Sequence, residues 1–274
     1  MKTVIYSDER SKLNLKEVFT YFDLLKNLAV RDVTIRYKQT WLGILWAVIR
    51  PCFNIVVFGA ISMLITKNTD AAQNFLNVGG AMLIWTLMTS CISESSNSLL
   101  ANVNLLTKVY FPKIILPLSS IMVCLIDFTI SFTIYIIVFF AFNGLPGPQI
   151  FLIPFFVLLV IIFCLGIGLT FASLNVKYRD VNFALPFLIQ FLFYASPVFL
   201  TTQFYLAHLP PVLQKVFVLN PVVFLLDGFR YCLFGNWVDF DIRYAAISVV
   251  FIFTLFFLGI RYFLKFEKSF ADHI

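Results

Sequence analysis

Apolar positions along this chain gather into six long runs, at about 41–65, 76–100, 117–142, 150–174, 183–206 and 242–264. At ~1.5 Å per residue, a helix through each run is long enough to cross a ~30 Å hydrocarbon layer. The pattern predicts an all-α integral membrane protein with six transmembrane helices. Ahead of the first run, Val18, Tyr21/Phe22, Leu25 and Leu28 recur at helical spacing, with Glu17, Asp23, Lys26 and Asn27 between them. That spacing predicts an amphipathic helix over 17–35, lying in the membrane interface or, alternatively, packed on other cytoplasmic segments.

Two connections depart from simple loops. Residues 101–116, ANVNLLTKVYFPKIIL, are amphipathic and followed by Pro117, which suggests a short helix able to dock a partner. Residues 196–241 are apolar but punctuated by Pro197, Pro210, Pro211, Pro221, Gly228 and Gly235. Their helical pieces, about 212–219 and 222–234, are too short to span, so helices that dip into the membrane and return are expected there. The predicted organisation is a segment 1–40 carrying the interface helix, a single transmembrane domain 41–264 and a tail 265–274. No internal repeat is visible, against an inverted-repeat secondary transporter.

Composition agrees with the pattern: 61% of residues are hydrophobic and 12% charged, against about 25% charged in soluble domains. The net charge of +6 does not point to nucleic acid, because the positive residues lie beside the spans. Arg31, Arg36 and Lys38 abut the first span and mark its cytoplasmic side. Both termini are then cytoplasmic, and only Lys67, Lys215, Arg230 and Arg243 fall on exterior parts. Cys52, Cys91, Cys124, Cys164 and Cys232 are scattered, without a C-x-x-C pair, so they read as small buried hydrophobes rather than disulfides or zinc ligands. No cleavable leader is expected in the first 40 residues, which lack an isolated apolar core.

Charge within a span is costly, which singles out Arg50, Glu94 and Asp127. At helical rise they lie roughly 13, 8 and 15 Å from the cytoplasmic ends of their spans. Arg50 is therefore predicted to pair with Glu94 or Asp127. Each belongs to a polar stripe: Trp46, Arg50 and Asn54; Ser90, Glu94, Asn97 and Ser98; Ser120, Asp127, Ser131 and Tyr135. The stripes read either as interhelical hydrogen-bonding glue or, taken together, as a lined pathway whose candidates are Trp41, Trp46, Arg50, Asn54, Glu94, Asp127, Ser131 and Tyr135. Aromatics make up 18% of the chain; they face lipid and neighbouring helices or wall a channel in which sugars stack. The sequence has no G-x-x-x-x-G-K-[ST], G-x-S-x-G or H-E-x-x-H motif, and His208 and His273 are isolated. No acid/base constellation, metal site or ATP-binding loop is therefore expected in this chain.

Several stretches resemble the membrane permeases of ABC transporters that export polysaccharides, including O-antigen, capsule and teichoic-acid exporters. RDVTIRYKQTWLGILWAVIRP (31–51) is similar to that family's approach to the first span, and KVYFPKIILPLSS (108–120) to the segment joining spans two and three. NVKYRDV (175–181), SPVF (196–199) and NPVVFLLDGFR (220–230) resemble the second cytoplasmic turn and the exterior re-entrant region. The resemblance implies a homodimer in the cytoplasmic (inner) membrane, each chain docked on a separate ATPase subunit that carries the ATP and Mg. The 17–35 helix and the 101–116 segment would be the docking surfaces, with Leu105, Lys108, Tyr110, Pro112 and Lys113 as coupling residues. The cargo would be a lipid-linked polysaccharide moved outward, and Arg31, Arg36 and Lys38 would receive its diphosphate head group or lipid phosphates, unless they report only positive-inside topology. The alternatives are an exporter of a small lipid or drug, an integral-membrane enzyme acting on lipid-linked sugars, and a non-transporting scaffold.

Overall fold

The structure, a computed structural model, describes residues 15–38, 45–67, 70–178, 180–235 and 242–267. Among these, every regular element is helical. In chain order they are α1 (Leu15–Thr20), α2 (Phe22–Lys38), α3 (Trp46–Thr66), α4 (Ala71–Ala101), α5 (Val103–Lys108), α6 (Ile115–Asn143), α7 (Ile153–Lys177), α8 (Val181–Tyr194), α9 (Thr202–His208), α10 (Pro211–Val218), α11 (Pro221–Phe234) and α12 (Ile242–Glu267). A short 3-10 turn, Pro148–Leu152, leads into α7. Five stretches are helical, long and apolar enough to cross a membrane: Val48–Thr66, Ala71–Ala101, Ile115–Asn143, Pro148–Lys177 and Arg243–Glu267. The chain is a multi-pass, all-α membrane protein.

The bundle is built around α4, which touches α3, α6, α7, α8 and α11 and is buried along most of its length. Its serines fit that burial because their hydroxyls return to the helix's own backbone. Ser95 Oγ donates to the Cys91 carbonyl (2.6 Å) and Ser98 Oγ to the Ser95 carbonyl (2.7 Å). Small residues let the helices close on one another. A Cβ at Gly168 would stand 1.9 Å from Ser95 Oγ, and one at Gly259 would stand 2.3 Å from the carbonyl oxygen of Gly166. The second contact joins the backbones of α7 and α12 directly. Asp70 caps the start of α4 by accepting the Gln73 N–H (3.1 Å), after Lys67 has ended α3 in a left-handed turn (φ 52°).

One end of the bundle, called proximal here, carries α2, α5, the start of α6 and the ends of α4, α7 and α12. A separate apolar cluster seals it: Leu25, Leu28 and Ala29 of α2 are buried, with Leu25 and Leu28 set against Leu99, Phe111, Ile114–Leu116, Leu169, Ala172 and Phe263. The expected 17–35 helix is thus broken near Tyr21 and runs on to Lys38. It packs on the bundle with one face and leaves Phe22, Val30 and Ile35 exposed on another. The segment is a helix docked on the bundle, with an outer side that mixes these apolar residues with Asp23, Lys26, Arg31 and Lys38.

The fifth predicted span, 183–206, is not one helix. α8 stops at Tyr194 after 14 residues, which at ~1.5 Å per residue is about 21 Å and short of the hydrocarbon layer. Hydropathy continues past Tyr194, but the backbone turns through Ala195–Leu200, where Pro197 has no N–H to extend a helix. Asn220 stitches that turn to α11: its Nδ2 donates to the Ala195 carbonyl (3.2 Å) and Ser196 Oγ (3.0 Å), while its Oδ1 accepts the Val222 N–H (3.0 Å). α10 and α11 meet at 73°, a bend that fits a broken span as well as the expected re-entrant pair. α11 is buried from Pro221 to Arg230 and wedged among α4, α7 and α12. Gly228 permits the wedge, since a Cβ there would lie 1.9 Å from the Phe156 ring.

Candidate functional site

α2, α3, α4 and α6 enclose a cavity of about 340 Å3. Its wall contains four charged residues, Arg36 of α2, Arg50 of α3, Glu94 of α4 and Asp127 of α6, so its formal charge sums to zero. Tyr37, Trp46, Thr86, Ser90 and Ser131 supply the remaining polar surface. Of the eight pathway candidates, Trp46, Arg50, Glu94, Asp127 and Ser131 line this cavity. Asn54 lies elsewhere, on a second cavity of about 350 Å3 that it shares with Phe58, Trp85, Ser93, Gln190, Phe193 and Tyr194. Tyr135 faces neither: its hydroxyl donates to the Leu76 carbonyl (2.7 Å) and its ring packs over Gly79 and Gly80. Trp41 lies outside the described residues.

The two carboxylates are paired, but not with the predicted arginine. Arg36 Nη1 donates to Asp127 Oδ2 (2.5 Å) and Arg36 Nη2 to Glu94 Oε1 (2.7 Å). The neighbouring Tyr37 hydroxyl donates to the other oxygen of Asp127. Three residues 58 and 91 positions apart in sequence are thereby joined, one from the docked helix and one from each of two spans. Burial acts to lower the Arg36 pKa, but the Glu94 and Asp127 carboxylates outweigh it and hold the guanidinium above its ordinary value. Burial, reinforced by the bond to Asp127, pushes the Tyr37 phenol up. Arg36 is charged and Tyr37 is a donor at any physiological pH.

Arg50 lines the same cavity from α3. Its guanidinium carbon stands 5.7 Å from the centroid of the Trp46 ring, within cation–π range. It makes no ion pair among the described residues. Depth along the spans suggested Arg50 because it matched Asp127. The docking register of α2, which carries Arg36 to the same depth, is not written in a hydropathy pattern.

The remaining head-group candidates are more peripheral. Arg31 bonds Asp32 and Asn102 Oδ1 (2.8 Å) at the surface, and Lys38 is exposed at the end of α2. Among the coupling candidates, Lys108 and Tyr110 are exposed and Leu105 is half-buried on the proximal apolar cluster. Pro112 sits in the turn before α6, and its carbonyl accepts the Ile115 N–H (3.0 Å). Lys113 is tied to the end of α12, its N–H to Glu267 Oε1 (3.1 Å) and its Nζ to the Glu267 carbonyl (2.7 Å).

Sequence reasoning missed a second charged group. Arg230, counted above among exterior charges, is buried in α11 with Asp227 (3.3 Å) and donates to the Val198 carbonyl (3.1 Å). Thr202 Oγ1 donates to the other Asp227 oxygen (2.5 Å). The i, i+3 spacing of an acid and a base inside an apolar stretch was the available signal. These bonds pin the 195–202 turn to α11.

Comparison with known proteins matches residues 23–234 to the ABC-2 type transporter family. A protein named O-antigen export system permease RfbA from Klebsiella pneumoniae is 26% identical over 254 residues, covering 92% of this chain and 95% of its own length. A protein of the same name from Myxococcus xanthus is 27% identical over 243 residues, covering 86% of this chain and 91% of its own length.

Proposed function

Because the chain belongs to the ABC-2 type transporter family, we propose that it is the membrane subunit of an ABC exporter carrying a lipid-linked polysaccharide of the O-antigen type outward across the cytoplasmic membrane. The observation that carries this reading is the end-to-end likeness to O-antigen export permeases, over 92% of this chain in one case. The polar, charge-balanced cavity among the spans supports it, because it offers a passing substrate a polar, partly accessible station within the apolar bundle.

In this reading the proximal end is cytoplasmic, as are both termini. A separate ATPase, which binds the ATP and Mg, docks on α2 and on the 101–116 segment, with Leu105, Lys108, Tyr110, Pro112 and Lys113 at the contact. Two copies of this chain complete the path. Arg31 and Lys38 contribute positive charge at the rim that meets lipid phosphates and the substrate head group, and Arg36, held by the two acids, stands where that rim enters the cavity. The cavity around Arg50, Glu94, Asp127 and Ser131 is the first polar station above that rim. Asn54, with Phe58, Trp85 and Phe193 around it, offers aromatic faces and amides suited to sugar rings. Trp46 adds an aromatic face to the first station from α3. The chain performs no bond chemistry; it binds, orients and passes.

The test is purification of the tagged chain from its host in mild detergent, with a deletion strain alongside. The expected result is a stoichiometric ATPase with a phosphate loop, and polymer accumulating on its lipid carrier inside the deletion strain. A chain that emerges alone even after cross-linking, from a strain whose polymer still reaches the surface, would sink the proposal.

A further inference from the structure

The acids Glu94 and Asp127 share one cavity with two arginines, and only one of the two holds them. Arg36 reaches them from α2, a helix seated on the bundle by Leu25, Leu28 and Ala29 and, beyond them, by the polar contacts of Arg31, Arg36 and Tyr37. Arg50 reaches the same space from α3, with no carboxylate of its own among the described residues. If α2 shifts by even one helical residue, the two-pronged contact of Arg36 is lost. Two carboxylates would then face the cavity without a cation, at a cost softened by their 25% and 48% exposure. The remaining cation on that wall is Arg50. One residue beyond it stands Pro51, which has no N–H for the preceding turn and weakens α3 at that point.

We propose that Arg36 and Arg50 are positioning residues that exchange Glu94 and Asp127 between them, so that movement of α2 is converted into movement of α3 around the cavity. The present structure is the state in which Arg36 holds both acids. In the other state α2 has withdrawn, Arg50 has left the Trp46 face, and the acids are held from α3. There Arg50 faces both acids as Arg36 does now; the cavity, neutral in the present structure, then carries a formal charge of −1, and that deficit favours the return of Arg36. This is a two-state element that both the docked ATPase and the cavity contents can bias, which is what coupling between distant sites requires. It rests on the transport reading above for what drives α2.

The experiment uses the complete complex of this chain with its ATPase in lipid nanodiscs, without polymer substrate. Spin labels are placed at Val30→Cys on α2 and Phe53→Cys on α3, both exposed positions, in a background lacking the native cysteines. Distances are measured without nucleotide and with ATP bound to a hydrolysis-deficient ATPase. The expected result is a shift between two distance populations on ATP binding. Arg50→Gln, which leaves the Arg36 contacts of the present structure intact, should reduce that shift at least tenfold in population, and Arg50→Lys should restore at least half of it. In cells Arg50→Gln should lower export at least tenfold. A triple variant, R36Q/E94Q/D127N, in which Arg50 has no acid to take over, should assemble with the ATPase and export at under a tenth of the wild-type rate. An unchanged population shift in Arg50→Gln overturns the exchange, even if export falls, because Arg50 would then act only on substrate. Wild-type export by the triple variant overturns it as well. Failure of the transport reading shows separately, as a missing ATPase and polymer still exported by the deletion strain.

Discussion

Two groups of charges lie in this bundle, and they are built in opposite ways. Asp227 and Arg230 are neighbours on one helix, both under a tenth exposed, and their partners Thr202 and Val198 belong to the turn that packs on them. Arg36, Glu94 and Asp127 come from three helices and keep 25–48% of their side-chain surface accessible. The first group is a rivet: it cannot change partner without leaving a charge stranded in the core. The second joins three separate helices at a partly accessible site, where a break in one pair leaves no fully buried charge. Burial and sequence distance together separate charges that hold a fold from charges that transmit a motion.

Breaking the rivet should have the largest effect on stability. Arg230→Met strands Asp227 and should cost about 3–5 kcal/mol, read as loss of the folded fraction in detergent on heating. Removing both charges, as D227L/R230M, should recover most of that loss and end within ~1.5 kcal/mol of the wild type by the same measurement. A double variant as unstable as the single would show that Thr202 and the turn, not the charge, set the cost. Arg36→Gln should lose only about 1 kcal/mol, since its pairs are half-accessible and screened, while export falls far more than stability. Raising salt to about 0.5 M, where the screening length is roughly 4 Å, should speed hydrogen exchange in α2 and leave α11 unchanged. Smallest of all, Arg31→Ala should shift thermal stability by less than ~0.5 kcal/mol, because its pair with Asp32 lies at the surface.

Much of the fold was legible because membrane spans announce themselves by length and hydropathy. Spans one to four and six fall within several residues of their predicted limits, and the pieces of the re-entrant region within one or two. The fifth failed where hydropathy carries no information about direction: Phe191–Leu200 is apolar whether it continues as helix or turns, and Pro197 was counted within the re-entrant region without ending the span. The acids of the site were legible from their cost in a membrane. Their partner was not, because Arg36 reaches them through the way Leu25 and Leu28 seat on the ends of α4, α6 and α7. The burial of Arg230 went unread for a related reason, since its assignment to the exterior side says nothing of what packs over it.

The meeting of Gly166 and Gly259 bears on how such a machine divides its labour. With carbonyl and Cα in direct contact and no side chain between them, α7 and α12 have no lubricating layer along which to slide. They form a keel. Whatever swings during a transport cycle must swing against that keel, so travel falls to the helices with looser seats, α2, α3 and α8, and a single methyl group added at residue 259 would pry the keel open from within.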